Sequence, residues 1–422
     1  MRKRINLIAV VAIAAALCAC NGGGGKNPAD LSKEDAAMKA AVEQYVPGVI
    51  YDIYGKLADE TEKLHEGLQD AKAKAKAGTL RDADMEALKE TFFGAREWWE
   101  KSEAFLYGAA SAYKIDPHID SWPLDKKALA KNLVNASVVS DLDEDGSGAI
   151  GLVGQDALGF HGIEFILFRN GAVRKASEFS AISVDQIAGY SVSGLSELIF
   201  AAAVAEDLMG YCFELQAAWD PEDYAFAYDE EVKTRRAYVE DVLELPTAMD
   251  GNDMTFGENL MATATLGSTY KAWTTAVNAI LVAGCSNICN EVANTKLATA
   301  HNAAPADPND VNAPVNYIES PYSKRSFHDF KDNILSIQYS LYGKNGADAP
   351  LKNSIFSFLD TFGYDVKPLK SRLEAAVSSL DDCIALGAFV DNLNDKKVDT
   401  AIDAINALDE ELNKAASWVL ER

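Results

Sequence analysis

Basic side chains are in short supply in this chain: 39 Lys and Arg stand against 64 Asp and Glu, a formal net charge of −25. So acidic a body is repelled by nucleic acid and by anionic lipid headgroups, which removes both as partners of the folded part. Acidity also suits cation capture, but a solvated surface of helix-borne Asp and Glu accounts for most of it. The sequence lacks a Gly-rich phosphate loop, a nucleophile elbow and an aromatic-basic stripe, so nucleotide, serine-hydrolase and nucleic-acid chemistry have no foothold. Neither His-Glu-x-x-His nor the inverted His-x-x-Glu-His of helix-borne zinc peptidases is complete. Runs of alternating β-branched residues are rare, while apolar residues recur at helical spacing almost throughout, so the fold class is all-α. Only six cysteines occur. Cys285 and Cys289, four apart in a helical stretch, would need distortion to bridge and have no nearby histidine for zinc, so buried thiols are the expectation there.

What is present begins at the N-terminus. Arg2, Lys3 and Arg4 precede an apolar run from Ile5 to Leu17, followed by Cys18-Ala19-Cys20. This is a secretory signal, too short to span a bilayer. Small Ala19 before Cys20 fits a bacterial lipoprotein cleavage box, whereas cutting before Cys18 would leave bulky Leu17 there. Cys20 is therefore the expected lipidation site, and its acyl chains would insert at about 0.8 kcal/mol per CH₂. The partner so implied is a membrane, held through lipid, with the body in the cell envelope and most plausibly on the periplasmic side of an outer membrane. Asn21 to Pro28 is tether composition, with four consecutive glycines. Losing the three basic signal residues moves the balance to 36 against 64, a net of −28.

Roughly 400 mature residues exceed one comfortable core, so two helical-bundle domains are expected. The division reads 1–19 signal, 20–32 tether, 33–240 first domain and 241–422 second domain. Helices are expected to about Lys76, over a Trp-bearing stretch ending near Asp116-Pro117, from Gln155 to Phe168 and from Asp185 to Trp219. In the second half they run from Glu258 to Thr299, Ser323 to Tyr342, Leu351 to Leu386 with a break near Pro368, and Asp399 to Leu420. Four against four suggests a duplicated four-helix bundle. Pro221, Pro246 and Asp250-Gly251 punctuate the connection.

One helical run carries a polar pair that its apolar character does not call for: Gly159-Phe160-His161-Gly162-Ile163-Glu164, continuing through Phe165 to Phe168. At i,i+3 spacing the imidazole of His161 and the carboxylate of Glu164 share a face, close enough to hold a metal ion or a proton together. Gly159 and Gly162 disfavour a helix and let another backbone or a ligand approach. With two ligands at most from this pair, a metal would need donors from distant segments. Glu100 and Glu103, three apart on the Trp-bearing helix, are the best such donors, since bundles hold iron with carboxylates and imidazoles from facing helices. Arg96, one turn before Glu100, is placed to pair with these acids in a structural network instead. His118 lies in a loop and is read as having no ligand role, and His65 and His301 carry no motif and are read as exposed polar positions.

The G-x-H-x-x-E pattern followed by an apolar run resembles the signature of the imelysin family, bacterial envelope proteins classed with metallopeptidases and linked to iron acquisition. Phe93 to Gly108 resembles that family's first-domain helix, and Glu319-Ser320-Pro321-Tyr322-Ser323, running on through Ser326 to Ile334, resembles its second-domain counterpart. The resemblance implies that Asp329 joins the site across the domain interface, with Ser326, Asn333 and Tyr322 as weaker candidates. It further implies iron or another divalent metal as cofactor, held by His161 and Glu164, and envelope iron-uptake proteins as partners. Were the protein a peptidase, Glu164 would be the catalytic residue. A third reading makes the chain an adhesion or assembly module with a structural His-Glu pair. Asp141, Asp143, Asp145 and Gly146 begin like a calcium loop, but Leu152 stands where the bidentate Glu belongs, so an acidic surface turn is the expectation there.

Overall fold

The computed structural model describes residues 31–221, 230–307 and 310–422. The segment read as a signal, Cys20 and nearly all of the expected tether lie outside them. The fold is all-α, with two small antiparallel hairpins, Phe168–Arg169 with Ala172–Val173 and Val184–Ile187 with Tyr190–Ser193.

Local chemistry sets the helix ends. Ser32 caps α1 (Lys33–Tyr45) by accepting from the Asp35 N–H at 2.9 Å. A π-helical turn, Val46–Tyr51, leads directly into α2 (Asp52–Ala77), which Gly78 ends in the left-handed conformation. The Asp84 carboxylate accepts from the Arg81 N–H at 2.9 Å to open α3 (Asp82–Glu100). The signature helix α4 (Gly159–Leu167) is buried at every residue, and so is most of α5 (Gly194–Trp219). In the second half come α6 (Trp273–Leu297), α7 (Ser326–Tyr342), α8 (Ile355–Thr361), α9 (Val366–Ile384) and α10 (Lys396–Leu420). Among the described residues α6 alone is long and apolar enough to cross a membrane, but it contains two π-helical segments and 61% of its apolar window is buried inside the molecule. That burial makes it a core helix.

α2 packs on α3 and α5, and α4 packs on α5 and α3. α9 and α10 pair, α7 lies against α9, and α6 lies against α10. α1 joins this second group, packing on the start of α6 and on α8. The seam between the groups is made by α7 against α3 and by Glu103–Phe105 against the first π segment of α6. One continuous apolar core runs through both, from Met38 to Val419.

Several helix bounds differ from the sequence reading. Expected start Asp185 falls in a hairpin, and α5 begins at Gly194. The stretch expected as one helix from Glu258 is broken, because a short helix Phe256–Met261 ends before α6 begins at Trp273. Pro368 causes no break: it sits in the first turn of α9, where its missing N–H costs nothing, and the interruption is at Phe362 to Asp365. Helix Glu230–Asp241 occupies part of the expected connection. The Asp141 to Gly146 segment is largely helix, Ala136–Asp145, with Asp143 paired to Lys76 and, at 3.7 Å, to Lys72. A helix splays Asp141, Asp143 and Asp145 around its axis, so they cannot wrap an ion as a calcium loop does. Cys212, Cys285, Cys289 and Cys383 are buried free thiols. His65 and His301, expected as exposed, are partly buried; His301 bonds the Leu393 carbonyl and, at 2.7 Å, Asp399.

Candidate metal centre

At the seam lies a knot of charge sealed from solvent. Arg96, on the inner face of α3, is 1% exposed and sits 5.3 Å above the Phe160 ring. Its guanidinium pairs with Glu100, Asp120 and Glu319, and its Nε lies 3.4 Å from Asp329 Oδ2. Lys296, from the second π segment of α6, lies 3.0 Å from Glu319, 3.6 Å from Glu103 and 3.8 Å from Glu100. Asn333 Oδ1 also accepts from Lys296 at 3.2 Å, and the Asn333 amide donates to Glu100. A lone buried cation would cost several kcal/mol, and these carboxylates are what offset it. Arg325 adds a further cation at the rim, its Nε 3.4 Å from Asp329 Oδ1. Glu100, Glu103, Asp120, Glu319 and Asp329 are all buried around Arg96 and Lys296.

His161 is 2% exposed at the edge of this knot. Its Nδ1 lies 3.3 Å from Glu164 Oε2, and its Nε2 lies 3.1 Å from Asp120 Oδ1 but off the hydrogen-bond line, so this buried nitrogen has no proper partner. Glu319 Oε2 likewise lacks a hydrogen bond, although Lys296 is near. Glu164 is committed elsewhere: its Oε1 accepts from the N–H groups of Tyr322 at 3.0 Å and Ser323 at 2.7 Å, and from the Ser323 hydroxyl at 2.7 Å. It thereby ties α4 to the loop that follows Glu319. In that loop Ser320 and Lys324 hold φ of 48° and 62°, a conformation that ordinary residues adopt at a cost. The Ser320 hydroxyl donates to Asp329 and the Ser326 hydroxyl to the Glu319 carbonyl at 2.6 Å, which fix the loop.

The field of the knot shifts its acids and bases. Burial opposes charge on Asp120, yet Arg96 and His161 hold it below the ordinary carboxylate range. Burial also opposes charge on His161, but the carboxylates at its two nitrogens win and hold it up to about 9. For Glu100 and Glu103 burial dominates, against Arg96 and Lys296 for the first and Lys296 for the second, and both sit well above the usual range. Asp116 is pushed up to about 7 by burial and by the neighbouring Asp120.

Among the described residues two sets of three side chains could each converge on one ion: Asp120, His161 and Glu319, and Glu100, Glu103 and Asp120, with the ligand atoms of each set within 4.8 Å of one another. The expected ligand pair His161 and Glu164 therefore divides. His161 faces the knot, while Glu164 belongs to neither set and instead supports the imidazole from behind, the position a carboxylate takes behind a metal-ligating histidine. Glu103 is not on α3 with Glu100 but on the 3-10 turn after it, and both acids reach the knot. Asp329 arrives across the seam, against Arg96 and Ser320 and in neither set. His118 pairs with Asp207 at 2.7 Å, and His328 is exposed beside buried Asp329. Asp120, Glu319 and Lys296 are centre residues that the local sequence does not single out: Asp120 follows His118 in a segment that reads as a loop, and a lone Lys on an apolar helix is the one sign of Lys296.

Over His161 opens a pocket of about 140 Å³. Trp122, Leu124 and Lys126 line it from one side and Ile318, Pro321 and Tyr322 from the other.

An all-helical protein whose two halves close on a buried carboxylate, histidine and cation knot is the class that this architecture defines. The imelysin family model matches residues 50–415, and the chain belongs to the imelysin family. It is 27% identical over 127 residues to iron-regulated protein A of Synechococcus elongatus, a match covering 30% of this chain and 31% of that protein. Its fold is similar to the crystal structure of an iron-regulated protein A precursor from Parabacteroides distasonis, with TM-score 0.68 and 22% identity over 92% of this chain and 96% of that one. An imelysin-like protein from Psychrobacter arcticum matches with TM-score 0.52 and 11% identity over 90% and 94% of the two chains.

Proposed function

We propose that this protein is a lipid-anchored envelope protein that binds a transition metal at Asp120, His161 and Glu319, in the service of iron acquisition. The observation that carries the reading is the convergence of His161 with the Asp120 and Glu319 carboxylates, their ligand atoms within 4.8 Å of one another and Glu164 behind Nδ1; a metal would bind there in place of the proton that Asp120 and Glu164 hold on the imidazole. Two carboxylates and one imidazole suit iron among the biological metals, and the relatives named as iron-regulated proteins support that choice. Residues from both halves converge there, so ligand binding and the seam are coupled.

Ferrous iron titrated anaerobically into the purified protein should bind, and His161→Ala and Asp120→Asn should each weaken binding at least tenfold, about 1.4 kcal/mol. Melting temperatures without metal separate lost ligation from lost folding. Unchanged binding in folded variants would reduce the His161 cluster to a structural role. The peptidase reading is less well supported, because the Glu164 carboxylate that would serve as base already accepts three hydrogen bonds from Tyr322 and Ser323. Metal-dependent cleavage of an unfolded substrate, abolished by Glu164→Gln without unfolding, would reverse that preference.

A further inference from the structure

The proposed ligands are not free in the structure. Asp120 and Glu319 both pair with the guanidinium of Arg96, and Glu319 also lies 3.0 Å from Lys296. An incoming cation must take these oxygens from an internal one. We infer that Arg96 is a built-in counter-cation that competes with the metal for Asp120 and Glu319, and so sets the affinity of the site; this rests on the metal reading above.

The arrangement of the remaining acids makes the exchange feasible. Stripping every partner from a buried guanidinium would carry a penalty large enough to forbid binding. Arg96 does not face that penalty, because Glu100 and Asp329 also contact it and neither belongs to the His161 set. Lys296 keeps Glu100 and Glu103 when Glu319 turns away. Each internal cation thus has reserve carboxyl groups. A divalent ion on Asp120 and Glu319 therefore leaves neither Arg96 nor Lys296 bare. His161 then gains the partner that its Nε2 lacks. Arg96 is a positioning residue in this scheme and touches no metal.

The test compares ferrous iron binding by the whole mature protein, wild type against Arg96→Gln, under anaerobic calorimetry. Removing the competitor should tighten binding at least tenfold. It should also make folding depend on the metal: Arg96→Gln should melt lower than wild type in chelator and gain more on adding iron, because a tighter ligand raises stability by mass action. A purely structural Arg96 predicts the lower melting temperature alone, with affinity equal or weaker, and that result overturns the inference. Should Arg96→Gln fail to fold, Arg96→Lys carries the same test, since a point charge on a different stem cannot span Asp120, Glu319 and Asp329 as the planar fork does; equal or weaker binding by it again overturns the proposal. Wild-type binding lost in His161→Ala keeps the metal reading whatever the Arg96 variants do. Absence of binding in wild type and Arg96 variants alike sinks both.

Discussion

Gly159 shows how much one absent methyl group decides. It opens the signature helix with φ of +64°, and a Cβ built on it would lie 1.9 Å from the Ile119 carbonyl oxygen. Because Ile119 can press against that bare backbone, the next residue, Asp120, is delivered to Arg96 and His161. Glycine is therefore required here both for its left-handed conformation and for its lack of volume. Gly159→Ala should destabilise the protein by about 3 kcal/mol or more, combining backbone strain with overpacking against a carbonyl that cannot rotate away. It should also weaken metal binding by displacing Asp120, although it removes no ligand. Thermal melting and iron titration of this variant check both effects, and a stable variant with intact binding would contradict the geometry.

At the scale of the element, α5 is buried nearly all round, which leaves its polar residues exposed to the cost of desolvation. Glu214 is 1% exposed, its Oε2 has no hydrogen-bond partner, and burial pushes its pKa up to about 8 from 4.5. The unfolded chain ionises this group above pH 4.5 while the folded one keeps its proton until about 8. Stability is therefore lost as pH rises through that window and is fully present below it. Glu214→Gln, neutral at every pH, should match wild type more nearly at pH 5 and exceed its own pH 5 advantage by about 2 kcal/mol at pH 8, a figure discounted from the full shift for solvent access. Melting curves at the two pH values measure this, and a pH-independent difference would disprove it. α6 makes a related point: its two π-helical segments re-aim side chains in the middle of a core helix, and the second of them carries Lys296 to the knot.

For the whole molecule, the centre is an interface property. Glu164 reaches the Ser323 backbone 159 residues away, and Arg96 reaches Glu319 over 223 residues. We propose a division into domains at 33–240 and 241–422, across which α1 packs on the second group and one apolar core runs through both. The anchoring proposal rests on Cys20 and the tether after it. Cys20→Ser should abolish acylation and leave the chain at precursor size with its signal uncleaved. Uptake of labelled fatty acid and gel mobility read the outcome, and acylation or normal processing of the variant would overturn the anchoring proposal.

Helical periodicity made the all-α class legible, and an unexpected polar pair on an apolar run singled out His161 and Glu164. Those are local signals, written within a few residues. Element boundaries were less legible, because the break between Met261 and Trp273 and the hairpin before α5 depend on tertiary packing that overrides propensity. The division of labour at the site was not legible at all. Spacing alone made His161 and Glu164 equivalent partners, whereas two N–H groups and a hydroxyl from the far half turn Glu164 away from the knot. Asp120, Glu319 and Lys296 are ordinary charged residues where they stand in the chain. They become a centre only because burial takes water away, and a charge without water must find its counter-charge wherever the fold has brought one.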